Sequence, residues 1–120
     1  DGVMTWDPTL PGDAEARAAF NRHQRGDKGL GPALGPDAGS FARTAFAEAG
    51  FDTAIADSPW KIGAEHARMH EQLVQGIAGA AAEQGMERAD DWARDRIAQG
   101  GLCTIGHQDL LALPSQDRKD

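Results

Sequence analysis

A short loop crowded with charge, four histidines and one cysteine hold most of the chemistry this sequence offers. The loop reads HQRGDKGLGPALGPD over residues 23–37, and His23, Gln24, Asp27 and Lys28 bring donors and acceptors to it. Its glycines permit positive φ and close backbone approach, as a phosphate cradle requires. But G-L-G-P-A-L-G follows an expected helix rather than a strand, and its prolines lack the N–H groups a phosphate would need. It fits neither the dinucleotide fingerprint nor the P-loop. Two readings remain: a rigid ordered loop, and one wall of a pocket in which a stiff backbone presents polar side chains.

His66 and His70 stand four apart in an expected helix, a spacing that can hold zinc. H-A-R-M-H lacks the glutamate of H-E-x-x-H, and no third ligand lies nearby in sequence, so solvated helix histidines are expected and no metal. His107 beside Asp109 offers either an oriented proton shuttle or a strand-edge histidine held by the backbone. No serine sits in G-x-S-x-G, which leaves a hydrolase triad unsupported. Asp7, Asp13 and Glu15 crowd one turn, where helix capping and dipole compensation account for them. Cys103 lies among Leu102, Thr104 and Ile105, a setting for a buried, inert thiol on a strand. A single thiol excludes an internal disulfide and fits a reducing cytoplasm. Trp60 follows Asp57-Ser58-Pro59 at the C-terminal end of an expected strand, the edge where open α/β sheets gather ligands. It is the tryptophan assigned to a pocket.

The totals narrow the partners. Twelve Lys and Arg against nineteen Asp and Glu give a net charge of −7. That balance argues against nucleic acid, whose affinity comes from neutralised phosphates, and against an anionic membrane surface. No run approaches the ~20 apolar residues of a membrane span. Hydrophobic residues make up 40% of the chain and aromatics only 6%. Much of the apolar share is alanine, so a thin core is expected unless another chain or segment completes it. The sequence opens on Asp1 and reaches its first methionine at Met4, as a fragment or a processed product would.

The elements that must position these residues alternate between helix and strand. Val3–Trp6 reads as a strand end, stopped by Asp7-Pro8 and Pro11-Gly12. A helix follows with Asp13 as N-cap and Gly26 as stop, and a second runs from Asp37 to Gly50 on Phe41, Ala45 and Ala49. Phe51–Asp57 alternates as a half-buried strand. The longest helix spans about Ala64 to Gln84. Gly76 and Gly79 inside it imply close packing against a neighbour. A last helix starts at Asp90 and Asp91, and a final strand over Leu102–Leu113 is broken at Gly106-His107, where a bulge is expected. Residues 115–120 read as a polar tail. The class is mixed α/β, with three strands and about four helices.

DGVMTWDP, AFNRHQRGDKGLGPALGPDA, ADSPWKIG and GHQDLLALP, in that order, resemble the C-terminal half of a bacterial group of class I S-adenosylmethionine-dependent methyltransferases. The resemblance covers nearly the whole chain, and FNRHQRGDKGLGPALGP is its most specific phrase. It implies a partial Rossmann-like sheet: Val3–Trp6 as the tail of a fifth strand, Phe51–Asp57 as the sixth and Leu102–Leu113 as an antiparallel seventh, with helices on both faces of the complete sheet. It also implies that the cofactor-binding half, with its glycine-rich turn, is absent, so residues 1–120 alone should not hold S-adenosylmethionine. The chain would supply the acceptor side for a small molecule, with His23 as base or acceptor contact and Gln24, Asp27, Lys28 and Trp60 as acceptor-binding residues. An exposed sheet edge would favour homo-oligomers. The competing reading is a small, non-enzymatic protein-interaction module.

Overall fold

The computed structural model describes residues 1–27, 29 and 31–115. Lys28 and the tail beyond Ser115 lie outside the described residues. Four α-helices and five β-strands follow one another as β1 (Met4–Asp7), α1 (Asp13–Gln24), α2 (Ala38–Glu48), β2 (Phe51–Asp57), β3 (Trp60–Ile62), α3 (Ala67–Glu83), α4 (Ala89–Gln99), β4 (Leu102–Ile105) and β5 (Gln108–Pro114). Short 3-10 turns precede α2 and α3. The mixed α/β class and the four helices agree with the sequence.

The strands differ from the single partial sheet expected of them. They form two antiparallel units, β1-β4-β3 and β2-β5, with no parallel pair of neighbouring strands among the described residues. The expected sixth strand forms over Phe51–Asp57 as β2, but the chain re-enters strand at once, so Trp60 opens β3 instead of lying in a loop beyond a strand end. The expected bulge at Gly106-His107 is also missing. Asp57 faces Gln108 and Trp60 faces Ile105, with two residues between them on each side, so the register is unbroken. Pro59 has no N–H to give at this point, and Gly106 N–H instead donates 2.8 Å to Val3 O. The ribbon changes neighbours there without gaining a residue.

Alternation then decides what is buried. Met4, Trp6, Ile62 and Cys103 point to one side of β1-β4-β3 and are buried, while Val3, Thr5, Lys61 and Leu102 point to the other and are exposed. Ala16 and Ala19 of α1, Val74, Ile77, Ala78 and Ala81 of α3, and Trp92 and Ala93 of α4 join the buried side in one cluster. All the packing helices therefore cover one face. Burial is thin, as the alanine content implied.

At the centre of this core lies an ion pair. Asp13 does not cap α1 as expected, since Gly12 occupies the N-cap position. Its carboxylate instead accepts from Arg96 Nη1 at 2.8 Å, Trp92 Nε1 at 2.9 Å and Leu10 N–H at 2.8 Å. Arg96 is fully buried and its guanidinium carbon stands 5.4 Å from the Trp6 ring centroid. The first turn of α1 is thereby tied to α4.

The other half of the ribbon projects as an arm. β2 and β5 carry α2 on one side, with Phe46 edge to face on Phe51 at 5.5 Å, yet no residue of α2 is buried. Phe41 is 59% exposed, Leu111 56% and Leu113 54%. The molecule measures 60 × 33 × 20 Å with a radius of gyration of 17.6 Å, against about 14 Å for a compact chain of this length. Its accessible surface of 8009 Å² compares with roughly 6,200 Å² for a compact monomer of the same mass. Among the described residues no helix is long and apolar enough to cross a membrane.

Candidate functional site

The residues singled out in the sequence do not converge on one pocket. α1 runs back from the end of β1, so its last turn returns to the amino end of that strand. His23, on this turn, meets Glu83 at the end of α3, Nε2 to Oε2 at 2.5 Å. Its Nδ1 is sealed from solvent and has no partner among the described residues. Gln24 lines a cavity of about 270 Å³ with Gly2, Met4, Phe20, Pro36 and Gly106.

Asp27 accepts the N–H groups of Gly29 at 2.8 Å and Gly31 at 2.9 Å through one carboxylate oxygen. Both glycines have positive φ, so the carboxylate and the glycines together close the loop. Arg25 pairs with Asp37 at 3.2 Å across its base. The charge of Arg25, Asp27 and Asp37 and the positive φ of Gly29 and Gly31 thus have an internal use, tying these residues to one another.

Trp60 sits elsewhere, stacked on His107 with ring centroids 5.3 Å apart and planes at 21°. His107 Nδ1 lies 2.7 Å from Ser58 Oγ and 3.5 Å from Asp109 Oδ1. A serine triad needs the two imidazole nitrogens on different partners, one for the hydroxyl and one for the acid. Here both contacts fall on Nδ1, so the cluster fixes the ring without activating the serine.

A third location was not singled out. β1 and β3 are each antiparallel to β4, so they run parallel to each other, and their carboxyl ends, Asp7 and Ile62, lie on the same edge. A cavity of about 440 Å³ opens here, lined by Gly63, Ala67, Arg68, His70, Ile97 and Gly100 among others. Next to it Gly101 packs directly on the Asp7 carbonyl, where a Cβ has no room.

His70 was expected to be a solvated partner of His66. It is buried, and it accepts Trp6 Nε1–H on Nε2 at 2.9 Å. Burial, and next the positive charge of Arg96, hold it below the ordinary histidine pKa. His66 is exposed in the turn before α3, and among the described residues no group of three or more metal-ligating side chains is assembled. Cys103 is buried, which pushes its thiol pKa up to about 11, with Asp13 adding to the rise and Arg96 opposing it.

The signal that finds His70 was present in the sequence. It precedes Val74 by four residues and Ile77 by seven, on the apolar stripe of α3. Arg96, four residues after Trp92, carries the same signal on α4. No family model, curated protein or solved structure matches the chain.

Proposed function

We propose that this chain is the acceptor-side portion of an S-adenosylmethionine-dependent methyltransferase, and that a portion N-terminal to it holds the methyl donor. The observation that carries this reading is strand direction: β4 lies between β1 and β3 and is antiparallel to both. That is the relationship required if β1 ends a fifth strand, β2-β3 is a bent sixth and β4-β5 an antiparallel seventh. The outer edge of β1 has no strand partner among the described residues, which leaves it available to earlier strands or to a second copy. The surface in excess of a compact monomer fits a chain completed by a further partner.

On this reading the acceptor is a small molecule held at the shared carboxyl edge of β1 and β3. S-adenosylmethionine held by the preceding portion would supply the methyl group, while this chain would orient the acceptor and take up any proton the acceptor loses. Most of the acceleration comes from alignment. A base within hydrogen-bond reach is needed only where the acceptor must lose a proton. His23, on the opposite edge and engaged with Glu83, is less well placed for this than the residues around the carboxyl-edge cavity.

The exposed Phe41, Leu111 and Leu113 favour a second reading, a non-enzymatic module whose arm binds another protein. The two readings separate on the reading frame upstream of Asp1. A glycine-rich strand–turn–helix encoded there supports the methyltransferase; an open frame without one supports the module.

A further inference from the structure

His70 is 5% exposed and lies on the core side of α3. Its Nε2 accepts the Trp6 indole N–H. Indole nitrogen can only donate, so Nε2 carries no proton, and the neutral ring must carry its proton on Nδ1. Nδ1 has no hydrogen-bond partner among the described residues, and the side-chain polar atoms there that are both sealed from solvent and unpartnered are His23 Nδ1 and Arg96 Nε, so His70 Nδ1 keeps some solvent contact. The ring forms part of the wall of the 440 Å³ cavity at the carboxyl edge of β1 and β3. We infer that His70 Nδ1–H is a fixed donor facing this cavity, and that the cavity binds a small organic carboxylate whose oxygen accepts that proton.

Three features select this ligand class. The first turn of α3, with Ala67 and Arg68, lines the same cavity, so the positive end of the helix and a guanidinium favour an anion. Trp6 fixes the imidazole in one tautomer, so the donor is already oriented before a ligand arrives. Ala64, Ala67 and Ile97 offer a short apolar wall for the carbon body of the ligand. Glu71 lines the cavity too, and it also borders the neighbouring groove between α3 and α4. None of this depends on methyl transfer: a module that merely binds would use the same donor.

The test is proton-detected nitrogen NMR of the histidine rings in this chain, titrated with phenylacetate and separately with phenylacetamide. The expected result is a His70 ring protonated on Nδ1 and a saturable shift of that proton with phenylacetate. Phenylacetamide, and phenylacetate on Ala67→Phe, which fills the cavity from an exposed position, should each bind about tenfold or more weakly. His70→Gln keeps an acceptor for Trp6 and should lose phenylacetate binding; if it fails to fold, Ala67→Phe decides alone. A proton on Nε2, equal binding of acid and amide, unchanged binding by Ala67→Phe or by folded His70→Gln, or no saturable shift overturns the inference.

Discussion

Trp6 and His70 are separated by 64 residues of chain, yet they share a buried 2.9 Å hydrogen bond, with ring planes at 75° and centroids 6.5 Å apart. The contact fastens the third residue of β1 to α3. A protonated imidazole cannot accept from the indole, so the bond exists only while His70 is neutral.

Stability should therefore fall in mild acid. The folded pKa of His70 is lowered by burial and by Arg96, while the unfolded ring titrates near the ordinary value of 6.5. The unfolded state thus binds the proton first. The His70 contribution is complete above pH 6.5 and is lost as the pH falls towards the folded pKa. Urea midpoints measured from pH 8 to pH 5 should drop more steeply in the native sequence than in His70→Gln. Parallel curves for the two proteins would mean that His70 is not held neutral.

The Asp13–Arg96 pair should behave as a buried ion pair rather than a surface one, since the Arg96 side chain is fully buried and that of Asp13 only 9% exposed. Asp13→Asn or Arg96→Met alone strands a charge in the core and should destabilise by about 3–5 kcal/mol, enough to unfold a marginal domain. The double variant should recover much of that loss, because it removes both charges together. Denaturant titration of the three proteins measures the coupling. Losses of less than about 1 kcal/mol for each single variant would assign the pair to a solvated setting.

Much of the fold was legible because periodicity reports burial. The apolar stripe on α3 and the alternation in Phe51–Asp57 each depend on neighbours a few residues away, and both appear close to where the sequence sets them. The two-sheet division was not legible, because it depends on how Ser58-Pro59 meets Gly106-His107 across 46 intervening residues. The buried polar groups were misread for a related reason. Asp13 in a first turn and His70 on a helix each have a common exposed role, and only long-range contacts with Trp92, Arg96 and Trp6 give them a buried one. The concentration of charge and glycine in the loop was visible, but the bonds from Gly29 and Gly31 to Asp27 were not.

Gly76 and Gly79 invert an expectation. Glycine in a helix interior implied close packing, yet a Cβ at either position meets nothing within 4 Å. Gly76→Ala and Gly79→Ala should each raise stability by about 1 kcal/mol through helix propensity. Gly12→Ala should do the opposite, because its φ is +93° and a Cβ would stand 2.9 Å from Trp92 Cδ1. Thermal melts of the three variants give the signs directly. Destabilisation by both α3 substitutions would reveal a neighbour packed on that helix.

Cys103 should be silent in the folded protein. It is buried on β4 with its thiol pKa at about 11, so thiolate is scarce at pH 8 and access is closed. A disulfide reagent should label it only as fast as the protein unfolds, with the rate rising in urea along the unfolding transition. Rapid stoichiometric labelling without denaturant would contradict the packing of β4 between β1 and β3.

The most direct measurement is a calorimetric titration of S-adenosylmethionine against this chain and against a longer chain that includes the residues encoded ahead of Asp1. The expected result is heat of binding for the longer chain and none for residues 1–120 alone. Binding by residues 1–120 alone, or by neither chain, would contradict the assignment of this chain as the acceptor side of a methyltransferase.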